Sequence, residues 1–161
     1  SSCYAFIMRP YSTRLVQTFL NALIGNHDAH AKNFSLLYSG KAPVLAPSYD
    51  MLSTAVYPTL TQTMAMKIGS KYKFSEVQSR HWEQFAEGVG FTKAQAKRRI
   101  LELARLLPAT GRKLQSDPGY SFAGNALVEQ VNTLIEQRCA LTIRRLTDPD
   151  ADNDAAAEPS I

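Results

Sequence analysis

A run of polar residues between two apolar segments constrains this chain more than any other feature. Residues 25–33 read Gly-Asn-His-Asp-Ala-His-Ala-Lys-Asn and follow a stretch of periodic apolar residues that ends at Ile24. Because almost nothing in this run is apolar, core packing cannot account for it, and we expect a loop held by rigid elements on either side. An acid, two imidazoles, an ammonium and an amide in one loop are typical of a site that carries chemistry.

The segments on either side predict a helix before this loop and a hairpin after it. Apolar residues recur at helical spacing over residues 12–24, with Ser12 as the candidate N-cap. Gly25 and Asn26 are expected to end this helix in the left-handed conformation. Two short apolar runs within residues 34–46 flank a Gly/Pro turn and predict a β-hairpin.

The rest of the chain is predicted to be irregular and then helical. Residues 51–70 are expected to be irregular or extended, and three helices follow, at about 75–88, about 92–107 and about 126–146. Ser75 and Thr92 each begin a capping-box sequence, and Pro108 and Gly111 are expected to end the second of these helices. The predicted fold is therefore mainly α, a helical lobe with one small β-hairpin.

Length, charge and cysteine content limit the class of protein. The chain has 161 residues, enough for one domain with a real core, and no stretch approaches the length of a membrane span. Cys3 and Cys139 are far apart and form no CxxC pair, so neither a zinc site nor a disulfide is expected, which fits the cytoplasm. No Met begins the sequence, so we expect a piece of a longer protein, with residues 1–11 a remnant of a preceding segment.

Charge is distributed unevenly along the chain. All 18 Lys and Arg residues precede Asp148, whereas five of the 14 acidic residues lie in residues 148–161. This last segment is rich in Asp and Ala and is expected to be a disordered acidic tail. The strongly basic remainder favours a polyanionic partner such as a nucleotide, a nucleic acid or an acidic protein, although an ordinary solvated surface explains the charge equally well.

Spacing predicts which side chains of the loop and the hairpin meet. Asp28 and Asn33 are five residues apart, and Asp50 follows a hairpin that starts directly after Asn33. A short hairpin returns the chain to its starting point, so these three side chains should converge. Two carboxylates and an amide oxygen form a hard oxygen site that suits Mg²⁺. Positive charge from Lys32, and from His30 when it is protonated, suits a phosphate nearby.

This order of residues is the phosphoryl-transfer order of protein kinases. Those enzymes place a catalytic Asp, an Asn five residues later, a hairpin and then a metal-binding Asp. Here His30 replaces the Lys that usually lies two residues after the catalytic Asp, and Met51-Leu52 replaces the usual Phe-Gly after Asp50. The chain is therefore not an ordinary eukaryotic-type kinase.

At this level of detail the chain resembles one family. Residues 24–35, Ile-Gly-Asn-His-Asp-Ala-His-Ala-Lys-Asn-Phe-Ser, resemble the catalytic loop of the HipA-type serine/threonine kinases, the toxins of bacterial toxin–antitoxin pairs. Residues 45–54 resemble the metal-binding segment of that family, and residues 64–69 and 80–82 resemble later parts of it. The resemblance implies that residues 12–147 form the helical C-terminal lobe of a two-lobed kinase fold.

The resemblance also implies roles for individual residues. Asp28 becomes the catalytic base, while Asn33 and Asp50 hold the Mg²⁺ that bridges the phosphates of ATP. His30 donates either to the transferring phosphoryl group or to Asp28, or else only fixes the loop backbone. Lys32 either contacts phosphate or is solvated. The implied partners are a protein substrate and a HipB-like DNA-binding antitoxin, and without an N-terminal lobe the isolated chain is expected to be inactive.

Two other functions fit parts of the sequence. A metal-dependent phosphohydrolase could use His27-Asp28, but the only other histidine beyond this loop is His81, so the set of ligands is short. A basic helical module could bind nucleic acid or a partner protein. The cluster of positive charge at residues 93–99 (Lys93, Lys97, Arg98 and Arg99) could touch DNA phosphates, although a solvated helix face is the simpler interpretation.

Overall fold

The structure is a computed structural model that describes residues 10–38 and 44–148. The helices and strands in this part are α1 (Pro10–Ile24), β1 (Leu36–Leu37), β2 (Val44–Leu45), α2 (Ser79–Gly88), α3 (Lys93–Ser116) and α4 (Ala126–Thr147). Short 3-10 turns at Ala31–Asn33, Thr54–Val56 and Phe74–Glu76 separate them. The strands pair antiparallel, Leu36 with Leu45 and Leu37 with Val44. The prediction of a mainly α fold with one small hairpin is confirmed.

Apolar faces of the four helices meet in one core. Phe19 of α1 is fully buried and meets Trp82 of α2 edge to face, with ring centroids 5.3 Å apart. Ile100 of α3 and Cys139 of α4 close the core from the other side. Burial raises the pKa of the Cys139 thiol to about 12, so this side chain is a small buried hydrophobe, as the sequence predicts.

The first predicted helix starts earlier than expected. α1 begins at Pro10, so Ser12 lies inside the helix and is not its N-cap. Proline suits a first helical position because its fixed φ is helical and its missing N–H would have no partner there. The predicted end at Ile24 is confirmed.

The capping box predicted at Ser75 is wrong. Residues Phe74–Glu76 form a 3-10 turn, and α2 begins only at Ser79, where the Gln78 backbone N–H donates to His81 Nδ1 at 2.9 Å. The cause lies in α4, because the Arg145 guanidinium donates hydrogen bonds to the carbonyls of Ser75 and Val77 at 3.0 and 2.7 Å. A helix starting at Ser75 would need those carbonyls for its own hydrogen bonds.

The predicted end of α3 is also wrong. Its start is confirmed, since Thr92 and Gln95 form the capping box, but the helix continues past Pro108 and Gly111 to Ser116. Packing against α4 supports this extension, since a Cβ on Gly111 would clash with Asn132 Oδ1. Gly111 therefore lies where α3 is packed tightly against Asn132 of α4, and it does not act as a helix stop.

We expect Gly111→Ala to destabilise the protein by about 1–3 kcal/mol, the range of an overpacked core. Alanine normally improves a helix interior, but here the Asn132 amide must give up its hydrogen bonds to the Gly111 carbonyl and to Gln115. The matched control is Gly88→Ala at the end of α2, where an added Cβ meets nothing within 4 Å. Urea denaturation should show the control unchanged or slightly more stable, and equal effects of both variants would contradict this account.

Several predictions concern parts of the chain that the structure does not describe. Cys3, most of the predicted remnant at residues 1–11 and nearly all of the predicted acidic tail at residues 148–161 lie outside the described residues. The end of α4 at Thr147 agrees with the predicted helix. In the described part, none of the helices has the length and apolar character that crossing a membrane requires.

Candidate active site

The polar loop begins where α1 meets α4. Gly25 has a positive φ of 77°, and a Cβ there would lie 2.6 Å from Leu134 Cδ2 and 2.9 Å from Ala55 Cβ. Only glycine combines this conformation with this close approach. The left-handed conformation predicted for Asn26 is wrong, because Gly25 alone adopts it at this helix end.

Asn26 instead links the two carboxylate residues of the site. Its side chain is buried, and its Oδ1 accepts a hydrogen bond from the Asp28 backbone N–H at 3.2 Å. Its Nδ2 donates to the Asp50 carbonyl at 3.1 Å and to Asn21 Oδ1 at 2.9 Å. One buried amide therefore fixes the backbone at both carboxylates with respect to α1.

The hairpin returns Asp50 to Asn33. Asn33 Nδ2 lies 3.4 Å from Asp50 Oδ2 and also 3.4 Å from the Asp28 carbonyl oxygen. Asp50 has a positive φ of 56°, a conformation that is uncommon outside glycine and is often found at functional sites. Tyr49 secures this return, since its hydroxyl donates to the Lys32 carbonyl at 3.1 Å and pairs with the Ser35 hydroxyl at 2.8 Å.

Asp28 and His30 form an exposed pair at the surface of the loop. His30 Nε2 lies 3.1 Å from Asp28 Oδ1, and the two side chains are 50% and 62% exposed. The His30 backbone N–H also donates to the Asp28 carbonyl at 2.8 Å, which closes a tight turn. The imidazole thus reaches the carboxylate of Asp28, one of the contacts considered from the sequence, and a substrate can approach Asp28 from solvent.

His27, by contrast, is buried and neutral. Its Nδ1–H donates to the Thr61 carbonyl at 3.1 Å, so its Nε2 accepts from an Arg138 guanidinium nitrogen at 2.8 Å. Burial, reinforced by the charge of Arg138, lowers the pKa of His27 below its ordinary value of 6.5. Two further bonds hold its backbone, from its N–H to Thr54 Oγ1 and from the Ala65 N–H to its carbonyl.

This lowered pKa predicts how stability depends on pH. The unfolded chain binds a proton at His27 as pH falls below 6.5, whereas the folded chain resists it, so the free energy of unfolding should fall as pH drops from 6.5 towards 5. The carboxylates of Glu76, Glu129 and Glu136 affect stability at more acidic pH than His27 does, because their pKa values are lowered from 4.5. Between pH 6.5 and 5, the midpoint of urea denaturation should fall less for His27→Gln than for the native chain. An equal fall in both proteins would contradict the lowered pKa of His27.

The remaining predicted ligand, Lys32, is exposed on the 3-10 turn. Within the described part of the chain its ammonium joins none of the ion pairs, whereas Lys93 pairs with Glu83 at 3.1 Å and Arg99 with Glu102 at 2.6 Å. The basic cluster on α3 is therefore partly neutralised by its neighbours. No group of three or more His, Cys, Asp or Glu side chains that could hold a metal is found among the described residues.

Three of the residues that shape this site were missed from the sequence. The sequence predicts a helix end at Asn26 and assigns no role to Tyr49 or to Arg138. A weak signal existed for Arg138, because it shares the buried stripe of α4 with Leu134 and Thr142, where a charge needs a partner.

Comparison with known proteins places the chain in a family. Residues 11–110 match the family model of the HipA-like C-terminal domain. The chain belongs to the HipA-like C-terminal domain family. The resemblance seen in the catalytic-loop and metal-binding segments is therefore confirmed.

Individual relatives of this HipA-like chain are much longer proteins. It is 45% identical over 83 residues to a protein named putative kinase Y4mE from Sinorhizobium fredii, which covers 52% of this chain and 20% of that protein. It is 28% identical over 88 residues to the serine/threonine-protein kinase toxin HipA of Shewanella oneidensis, covering 55% of this chain and 20% of the toxin. The chain thus matches about a fifth of the length of these curated relatives.

A solved structure shows the same fold. The HipA chain in a complex of HipA, HipB and operator DNA from Shewanella oneidensis superposes with a TM-score of 0.72 at 23% sequence identity. The match covers 90% of this chain and 33% of that one. The helical lobe described above is therefore the fold of a HipA C-terminal region.

Proposed function

We propose that this chain is the catalytic C-terminal lobe of a HipA-like serine/threonine protein kinase, which transfers the γ-phosphate of ATP to a protein hydroxyl with Mg²⁺. The observation that carries the proposal is the meeting of Asn33 and Asp50 at 3.4 Å beside the loop that holds Asp28. Protein kinases use this order of base, amide and second carboxylate for phosphoryl transfer. Kinship with proteins named as kinases supports it.

Asp28 is the proposed base. As the substrate hydroxyl oxygen bonds to the γ-phosphorus and the bond to the leaving ADP oxygen breaks, an Asp28 carboxylate oxygen accepts the hydroxyl proton. The exposed carboxylate is open to a protein substrate, and His30 at 3.1 Å holds one of its oxygens and leaves the other for the hydroxyl. His30 is thus proposed to orient the base, and Lys32 to contact phosphate from the adjacent turn.

The donor set of Asn33 and Asp50 fits Mg²⁺. This ion commonly takes one or two protein oxygens and completes its shell with phosphate oxygens and water, so a carboxylate beside an amide suffices. The amide nitrogen of Asn33 now faces Asp50, and a half-turn of the amide presents its oxygen. Asn33 and Asp50 would hold the ion, which would supply positive charge against the charge that develops on the phosphates of ATP.

The partners proposed for the whole protein follow from its relatives. A HipB-like antitoxin is proposed because the solved HipA structure with this fold is a complex with HipB and operator DNA. Within the basic cluster at residues 93–99, Lys97 and Arg98 belong to none of the ion pairs of the described residues, so in that cluster they are the side chains proposed to contact DNA phosphates. Such contact would be independent of base sequence.

Radiolabelled phosphate transfer tests this function. In the described part of the chain, the proposed site residues reach nucleotide through metal and phosphate, so we expect no measurable transfer and weak ATP binding from residues 1–161 alone. The same chain joined to an N-terminal ATP-binding lobe should phosphorylate a Ser or Thr of a protein substrate, and EDTA should stop the reaction. Robust transfer by residues 1–161 alone, or none by the joined protein with a known HipA substrate, would reject the proposal.

A further inference from the structure

A buried arginine on α4 reaches the catalytic loop from the far side of the lobe. Arg138 is 7% exposed, and its guanidinium donates to His27 Nε2 at 2.8 Å and to the Ala22 carbonyl at 2.9 Å. The same group lies over the ring of Phe74, 4.4 Å from its centroid. One side chain therefore ties together α4, the end of α1, the catalytic loop and the segment before α2.

None of these contacts is a simple ion pair. In the described part of the chain no carboxylate pairs with Arg138; its charge is met by a carbonyl, an imidazole nitrogen and an aromatic face. Burial of a charge without a carboxylate is costly. A methionine or leucine would fill this place in the core with less penalty, so packing alone does not explain the arginine.

The contact with His27 places the arginine next to the residue that precedes Asp28. His27 directly precedes Asp28, and its ring is held between the Thr61 carbonyl at Nδ1 and Arg138 at Nε2. The His27 N–H and carbonyl bond Thr54 and Ala65, so the bond from Arg138 is one of four that hold the residue before Asp28 in place.

We propose that Arg138 is a positioning residue for phosphoryl transfer, which holds the Asp28 backbone in its reactive place through the His27 ring. This inference rests on the proposed function for its kinetic consequence, but not for its structural one. A positioning role differs from a role in folding alone. Loss of Arg138 should loosen the catalytic loop, whereas loss of another buried arginine should not.

Arg145 provides that comparison. It lies on the same helix, is 6% exposed, and donates to the carbonyls of Val77 and Ser75. Its removal should cost stability as the removal of Arg138 does, but the two carbonyls that it bonds belong to the turn before α2 and not to the catalytic loop. Arg138→Met and Arg145→Met are therefore matched variants.

Hydrogen exchange on residues 1–161 tests the structural part without any activity. We expect Arg138→Met to speed exchange at the amides of His27, Asp28 and His30, and Arg145→Met to speed it at residues 75–79 instead. If Arg138→Met does not fold, Arg138→Lys replaces it, because one ammonium cannot bond both Ala22 and His27 in the fork geometry. The same exchange pattern in the two variants would overturn the proposal.

Kinetics of the joined two-lobed protein test the rest. Arg138→Met should lower kcat on the order of 100-fold with the KM for ATP nearly unchanged, since misplacement of a catalytic group costs about that much. Arg145→Met should keep kcat near that of the native protein, and Arg138→Lys should recover part of the loss. Equal kcat values for the two methionine variants would overturn the positioning role, whereas an inactive native protein would reject the kinase function and leave the exchange result to decide.

Discussion

Asp50→Asn is expected to abolish Mg²⁺-dependent phosphoryl transfer while leaving the lobe folded. A metal that stabilises transition-state charge is worth several kcal/mol, so losing its carboxylate should lower kcat at least about 1,000-fold. The variant removes one negative charge and leaves the shape of the side chain almost unchanged. It should also weaken Mg²⁺ binding measured in the presence of ATP.

The fold should survive this change for two reasons. The Asp50 side chain is exposed and contacts Asn33 only at 3.4 Å, while its structural bond runs from Asn26 to its backbone carbonyl. Asparagine also tolerates the positive φ of this position at least as well as aspartate. The matched control is Asp117→Asn, because Asp117 caps the Gly119 N–H through an oxygen that asparagine retains. Transfer at the native rate by Asp50→Asn would reject the metal role of Asp50.

The sequence predicted those features that depend on neighbours in the chain. The end of α1 at Ile24, the capping box at Thr92, the hairpin and the return of Asp50 to Asn33 all follow from turn residues and local spacing. Each of these needs only a few residues to specify it, so a single sequence was sufficient. The assignment to the HipA family rested on the same short segments.

Two of the predictions that failed, the start of α2 and the end of α3, depend on contacts between distant parts of the chain. Arg145 donates hydrogen bonds to carbonyls 68 and 70 residues away, which displaces the start of α2. Packing against α4 likewise supports α3 beyond Pro108. The link from Arg138 to His27 spans 111 residues. Capping rules and breaker residues describe isolated helices, and tertiary packing overrides them where another helix supplies partners.

Asn26→Asp is the substitution from which we expect the largest loss of stability in the site. Asn26 Nδ2 donates to two acceptors, Asn21 Oδ1 and the Asp50 carbonyl. A carboxylate oxygen in that place faces both acceptors with no proton to donate, and the buried charge keeps only the Asp28 backbone N–H as its donor. Breaking a buried polar arrangement in this way costs roughly 3–5 kcal/mol.

The site should lose its geometry together with its stability. Because the same amide holds the Asp28 backbone N–H and the Asp50 carbonyl, the variant should bind Mg²⁺ and ATP poorly even where it remains folded. Burial disfavours the charged form of the new carboxyl, so its pKa should lie above the ordinary value. A protonated carboxyl can donate to one of the two acceptors, so the loss of stability relative to the native chain should shrink as pH falls.

Asn125→Asp is the control for this substitution. Asn125 is the N-cap of α4, and only its Oδ1 is used, as acceptor from the N–H groups of Leu127 and Val128. Aspartate caps a helix as well as asparagine, so urea denaturation at pH 7 should show a change near zero for Asn125→Asp. A similar midpoint for Asn26→Asp would mean that the buried amide does not hold the two carboxylate residues together, and the account of how this loop is built would have to be abandoned.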